Sequence, residues 1–498
     1  MIRRQTAGLL GVIVLLGVAL RSYHLGARSL WFDEAFSWRL IQFPLPELLT
    51  RAAADVHPPL YYILLKLWAS IFDTSLLSLR LFSVAGAATT ILAAYVFTAY
   101  ASNDRRAGLI AALLVAVSPF QIQFAWEARM YTLGTTLALA SSYGLLRAVR
   151  RNKGWGAYVA LAAAFAYTHY FALFTLAAHA VFILLQRSRR RQPKVYLAAA
   201  LVLLLYLPQL PILLQQNAQV QQNYWIPPLK IWSLPNTIYH MFVPANAFPP
   251  ALLGALATGI LGLALIISLM AFWVRRQRSL PRDVRHFLSA TILVPFALAA
   301  AISAVSQSLY LDRFFIFTHV FMLAGLALLA VKLSARSRVL TTTLLIAGFL
   351  VAFAARWQEL DIPHKGGMQD AVAFISTYQP ASPIIVSSPF VYFSALHHVV
   401  EKFPHVSPPR LYTTTGELVH FAGGPIQTAE DIVGPSFLTQ DHAALWVIDT
   451  TGFGQQPLAP DPAWVVQHQQ HFPEVFPHQG EIIATHYVTR PVSGSKPD

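Results

Sequence analysis

The chain contains no cysteine, which excludes a disulfide framework and any thiolate metal site. Charge is also scarce. Only 12% of its 498 residues are Asp, Glu, Lys or Arg, against roughly 25% in a soluble domain. Acidic residues are the rarer sign, 22 against 36 Lys and Arg. No internal repeat is visible, which sets solenoid and propeller arrays aside.

What fills the sequence is apolar: 56% of residues are hydrophobic. The apolar residues fall in repeated runs of about 17 to 25, the length of a helix crossing a bilayer. This predicts a polytopic α-helical membrane protein. The formal charge of +14 would suit a nucleic-acid partner, but its placement argues against one. The basic residues cluster between apolar runs, at Arg3/Arg4, Arg105/Arg106, Arg147/Arg150/Arg151/Lys153, Arg187/Arg189/Arg190/Arg191/Lys194, Arg275/Arg276/Arg278/Arg282/Arg285 and Lys332/Arg336/Arg338. Loops of that kind stay in the cytoplasm.

With every cluster inside, the chain threads itself as about 11 spans, N-terminus cytoplasmic and C-terminus outside. A first span ends near Arg21; read as a cleaved signal peptide, it would leave the next stretch outside all the same. A long outer loop, about 21–77, precedes spans at about 78–100, 107–124 and 130–146. The apolar block 155–185 has basic residues at both ends, so it must cross an even number of times; a tight hairpin turning near Thr168-His169-Tyr170 satisfies this. Spans follow at about 196–214, 251–274, 287–305, 314–331 and 339–355, with an outer loop over 215–250. Prolines 58 and 59 start a further helix in the first loop, whose aromatic stripe suits a membrane surface.

Near Arg356 the composition changes. Acidic residues, His and Pro become common, and short β-type runs (384–386, 445–448, 481–488) alternate with helical ones such as 368–378. The division expected is a membrane domain over 1–355 and an extracytoplasmic α/β domain over 356–498, ending in a disordered tail at 493–498. The ten histidines between His364 and His486 read as solvated surface.

In the membrane part, nearly all acids fall on the outer side: Asp33, Glu34, Glu47, Asp55, Asp73, Glu127 and Asp312. Carboxylates in a partly dry cleft become better proton acceptors. The pair Asp33-Glu34, directly after the first span, is the sharpest instance. Its structural alternative, equally open at this point, is capping of an amphipathic helix over 34–40. His57 reads equally as a turn residue. Arg129 on its own reads first as an interfacial arginine reaching toward headgroups. Trp31, Trp126, Trp225 and Trp232 are interfacial anchors first and sugar-stacking platforms second.

Taken together, Ser-Leu-Trp31-Phe-Asp33-Glu34-Ala, His57-Pro-Pro-Leu-Tyr-Tyr, Leu79-Arg80-Leu-Phe-Ser, Ser118-Pro-Phe and Glu127-Ala-Arg129-Met-Tyr131 resemble the bacterial glycosyltransferase family 39 proteins of GT-C fold. These are related to protein O-mannosyltransferases and to the lipid A aminoarabinose transferase. The close match covers about residues 20–135; beyond it Tyr167-Thr-His169-Tyr170 and Asp312-Arg313-Phe314 look similar. The resemblance implies sugar transfer, with inversion, from a polyprenyl-phosphate-linked donor to a hydroxyl on a lipid, polysaccharide or protein, on the outer face of a bacterial inner membrane. It assigns Asp33 as the catalytic base, with Glu34 and Glu127 completing the acidic set. It places Arg129 near the lipid phosphate and Arg313 where the family often has an Arg-Tyr pair; Arg80, as an alternative cation for that phosphate, and His57, Tyr131 and Trp31 are the further substrate-binding candidates. Phe314 stands where the family often has Tyr, and the C-terminal domain does not resemble the sugar-binding repeats of the eukaryotic protein mannosyltransferases.

The chemistry agrees with these residue types. One base activates the acceptor, worth about 10²–10⁴-fold, and guanidinium groups stabilise the departing phosphate. No cofactor is implied. A divalent metal on Asp55/His57 with His169 or His240 is an alternative without a fixed ligand spacing. A secondary transporter or flippase is the competing class, but it would place its carboxylates at mid-membrane on broken helices of two related halves. A catalytically inactive relative that binds a partner through its α/β domain is the third.

Overall fold

The computed structural model describes residues 2–186, 191–222, 226–243, 280–414, 416, 418, 420–438, 442–453, 458 and 464–489. The expected span over 251–274, Trp225, the basic residues Arg187, Arg189, Arg190, Arg275, Arg276 and Arg278, and the tail 493–498 lie outside the described residues. The contacts divide the chain into two compact units: Met1–Tyr23, Val56–Leu65 and Arg80–Glu359, and His24–Asp55, Lys66–Leu79 and Leu360–Asp498. The first outer loop is thus shared out by packing, whereas the composition break at 355/356 cuts the chain once.

The first unit is helical. Among the described residues six helices are long and apolar enough to cross a membrane: Arg4–Ser22, Leu76–Ser102, Pro193–Gln221, Arg282–Val305, Asp312–Ala330 and Ala335–Ala354. The chain is a multi-pass membrane protein. The 155–185 block forms two shorter helices, Trp155–Ala166 and Ala172–Leu185, with the turn at Tyr167–Phe171 between them. The 130–146 segment becomes the helix Tyr131–Arg151.

The expected span over 107–124 is broken into Arg105–Val117 and Pro119–Gln123. The cause is Pro119, which cannot donate to the helix ladder; Ser118 caps the second piece through the Gln121 N–H. The carbonyls released by the break are met by Arg21. Its buried guanidinium donates to the carbonyls of Val115 (2.9 Å), Ala116 (2.7 Å) and Gly17 (2.9 Å). The arginine read as the end of the first span therefore closes a break in another helix.

In lipid, helices associate through close packing of small residues. Ala107, Ala111, Ala112 and Ala116 are all fully buried on Arg105–Val117. That helix packs against Ile2–Ser22 and Ile316–Ala330. Gly134 lets the ring of Phe317 lie against the Tyr131–Arg151 backbone, where any Cβ would stand 2.6 Å from its Cε1. Phe321 meets Phe97 and Phe287 edge to face in the same core, and those two rings are tilted against each other.

The second unit is built on a six-stranded sheet: β1 Ile384–Val386, β2 Pro409–Tyr412, β3 Ile432–Val433, β4 Ala444–Thr450, β5 Trp464–Pro473 and β6 Glu481–Thr489. The order is β3-β2-β1-β4-β6-β5, parallel from β3 to β4 and antiparallel across β6 and β5. The helices Met368–Tyr378 and Pro389–Lys402 complete it. The expected β runs all appear. The histidines do not all lie in solvent: His397, His398, His420 and His486 are buried. His397, for example, packs edge to face on Trp38 at 5.0 Å.

Candidate active site

The predicted site residues fall in both units. Trp31, Asp33 and Glu34 belong to the second; His57, Arg80, Glu127, Arg129, Tyr131 and Arg313 belong to the first.

In the second unit, Phe32–Gln42 is a helix with Trp31 at its N-cap and both acids in its first turn, where negative charge suits the helix dipole. The two acids differ in environment. Glu34 is fully buried; its Oε2 lies 3.2 Å from Arg28, which is also buried, and accepts a hydrogen bond from the Trp31 N–H. Asp33 remains partly exposed. The helix is held by the C-terminal part of the same unit. Ser394 donates to the Leu30 carbonyl at 2.7 Å, and Ser29 donates to the Gly366 carbonyl while accepting from the Gln369 N–H. Phe32 meets Phe390 edge to face, and Arg39 pairs with Asp431 at 3.3 Å. The capping reading of the acidic pair thus holds for Glu34.

In the first unit the focus is Arg129, only 2% exposed. It sits in an irregular segment between the Pro119–Gln123 and Tyr131–Arg151 helices, and its N–H donates to the Glu127 carbonyl at 2.7 Å. Its guanidinium donates to the Tyr62 hydroxyl at 3.2 Å and to Nε2 of His57 at 3.1 Å. This buried fork is not the headgroup-seeking arginine that position alone suggested. The His57–Tyr62 segment is tied to the Tyr167–Phe171 turn by the Leu60 N–H on the Tyr167 carbonyl. That turn carries His169, whose ring lies 6.3 Å from His57, 6.2 Å from Tyr131 and 5.4 Å from Phe314. Burial, then the neighbouring His57, Arg129 and Arg313, hold the imidazole well below its usual range.

Glu127 is buried, as is Arg80, which lies within Leu76–Ser102 and is fully enclosed. Arg313 stacks over Phe314 at 5.8 Å. Beside it Asp312 accepts from Thr237 and pairs with Nδ1 of His240 at 2.6 Å. The metal alternative is not assembled: among the described residues no group of three or more His, Asp or Glu comes together to hold an ion.

With this geometry the chain can be set beside known proteins. ArnT from Cupriavidus metallidurans, in its crystal structure bound to undecaprenyl phosphate, superposes with a TM-score of 0.57 at 13% identity, 99% of each chain covered. Its apo crystal structure gives 0.59 at 12% identity, covering 96% of this chain and 98% of that one. The archaeal oligosaccharyltransferase AglB from Archaeoglobus fulgidus, in complex with an inhibitory peptide and a dolichol-phosphate, gives 0.54 at 12% identity, covering 90% and 69%. The fold is the GT-C glycosyltransferase fold. The family model described as dolichyl-phosphate-mannose-protein mannosyltransferase matches residues 56–212. No curated protein sequence matches the chain.

Several residues at these centres have partners that the sequence does not reveal. Tyr62 belongs to the His57-Pro-Pro-Leu-Tyr-Tyr run, and a Tyr-Tyr pair does not say which hydroxyl meets an arginine. Arg28 carried no signal, because its partner is six residues away across a turn. His169 is legible as a hairpin-turn residue and as a candidate metal ligand, but its ring neighbours His57, Tyr131 and Phe314 come from three other segments.

Proposed function

We propose that this protein is a membrane glycosyltransferase that moves a sugar from a polyprenyl-phosphate-linked donor to an acceptor hydroxyl with inversion. The observation that carries this reading is the buried Arg129 fork with Tyr62 and His57, in a GT-C fold and inside the span 56–212 matched by the mannosyltransferase model. A guanidinium away from water is strongly attractive to a phosphate and to the charge that develops when it departs. The similarity to ArnT, whose crystal form holds undecaprenyl phosphate, supports the same class of donor.

In the proposed reaction Asp33 accepts the proton of the acceptor hydroxyl as that oxygen attacks the anomeric carbon. The bond from that carbon to the phosphate oxygen breaks on the opposite side, and the prenyl phosphate leaves with one further negative charge. Arg129, Arg80 and Arg313 stabilise it, while Glu127, His57, Tyr131 and Trp31 complete the substrate surroundings. Glu34, through Arg28, fixes the helix that carries the base. The acceptor hydroxyl belongs to a lipid, a polysaccharide or a protein. The Lys and Arg clusters support a bacterial inner-membrane orientation with the N-terminus and basic loops cytoplasmic and residues 356–498 outside.

The test has two arms. Mass spectrometry of lipid that copurifies with the protein should find a prenyl-phosphate sugar, and membranes carrying Asp33→Asn at normal abundance should lose transfer from it. Full transfer by Asp33→Asn would remove the assigned base. Substrate flux through proteoliposomes without any glycosyl product would replace the transferase by a transporter.

A further inference from the structure

The imidazole of His169 is 4% exposed, and its proton can be located. The Phe171 backbone N–H, which can only donate, points to Nδ1 at 3.1 Å. Nδ1 therefore accepts, and the hydrogen of the neutral ring is on Nε2. Nε2 is buried and has no hydrogen-bond partner among the described residues. A buried donor left in this way is destabilising, and such groups are rare enough in folded proteins to require an account. On the other side of the ring system, His57 Nε2 accepts from Arg129, so the two histidines hold opposite tautomers.

We infer that His169 Nε2–H is a neutral hydrogen-bond donor to a phosphate oxygen of the lipid-linked substrate, acting beside the Arg129 fork. This rests on the transferase reading for the identity of the ligand. A third positive charge next to Arg129 and Arg313 would be repelled when the site is empty. A neutral imidazole avoids that cost and still offers a directed donor. The ring is fixed by Phe314 and Phe317, at 5.4 and 5.2 Å, so the donor direction is set before any ligand arrives.

The test measures binding of undecaprenyl phosphate and, separately, of inorganic phosphate to the detergent-purified full chain, with His169→Phe and His169→Gln. A hydrogen bond to a charged group is worth about ten- to a hundredfold in affinity. His169→Phe should weaken lipid phosphate binding by at least about tenfold, while its unfolding midpoint without lipid should change little, because loss of the Nδ1 acceptor for the Phe171 N–H opposes the removal of the unpartnered Nε2–H. His169→Gln keeps an N–H donor and should restore most of the binding. Equal loss for inorganic phosphate supports the same donor atom and makes the phosphate group, rather than the prenyl chain, what it recognises. Undiminished lipid phosphate binding by a folded His169→Phe protein overturns the assignment, as does a midpoint that falls in both variants, which would mark a packing role. His169-dependent binding without any sugar transfer would leave this inference standing and sink the transferase; normal transfer kinetics in His169→Phe would do the reverse.

Discussion

The Glu34 carboxylate stands 3.2 Å from the Arg28 guanidinium, and both side chains are out of water. This contact separates the roles of two adjacent acids. Glu34 is turned inward to complete the helix start, while Asp33, one residue earlier, keeps a partly exposed carboxyl. Adjacent residues on a helix point about 100° apart, so only one of the pair can face the interior of the unit.

Breaking that pair from one side should be costly. Glu34→Ala is expected to lower stability by about 3–5 kcal/mol, because it removes one member of a buried ion pair. Removing both charges with Arg28→Met should recover a large part of the loss. Thermal unfolding of the single and double variants in detergent checks this; additive effects would mean that the pair is not coupled.

The Arg129 fork predicts a ranking. Arg129→Met should reduce transfer by about a hundredfold or more, in line with loss of a donor aimed at developing charge. Arg129→Lys should recover only a fraction, since an ammonium cannot reproduce the planar fork that serves Tyr62 and His57 together. Steady-state kinetics on a prenyl-phosphate sugar would show it, and Lys equal to Arg would argue for a point charge alone.

Glu474 gives a pH signature in the C-terminal unit. Burial pushes its carboxyl up to about 7, against the Met368 N–H and the Arg28 charge, which pull it down, and with Asp370 raising it further. The folded state therefore binds the proton more tightly than the unfolded chain. Stability from this group is full below about pH 4.5, declines as pH rises to about 7, then levels off, a total of up to about 3 kcal/mol. Glu474→Gln, permanently neutral, should flatten the unfolding midpoint between pH 5 and 8. Superimposable profiles would clear Glu474 as the source.

Arg21→Met should destabilise the first unit by at least about 1–3 kcal/mol, the cost of leaving one buried carbonyl unsatisfied, since Arg21 serves those of Val115 and Ala116 where Pro119 breaks the helix. Restoring a continuous helix with Pro119→Ala should reduce the penalty in the double variant. Unfolding midpoints of the two single variants and the double decide it.

Much of this was legible in the chain. The apolar runs locate the six described helices long enough to cross the membrane, and the basic residues at both ends of 155–185 predict the turn at His169. The β runs of the C-terminal region were visible because their apolar stretches are short and bounded by turn residues. What could not be read is pairing across distance. Nothing in Ser29-Leu-Trp-Phe-Asp33 says that Ser394 and Gly366 will hold it, because a serine hydroxyl advertises no partner. Most of the C-terminal histidines do lie at the surface, but the burial of His397 is invisible for a related reason: its covering residue Trp38 lies more than 350 positions earlier.

The joining of residues 24–55 to a sheet whose last strand ends at Thr489 has a consequence for biosynthesis. At about 5–20 residues per second, the ribosome needs on the order of 20–90 s to travel from the start of the chain's first loop to that strand. During most of that interval the early membrane segments are already made while Ser29, Trp38 and Arg39 wait for Gly366, His397 and Asp431. A chain that terminates before Asp431 would therefore occupy the membrane without the full set of contacts that seat the Asp33 helix, so maturation of this protein waits on its C-terminal region.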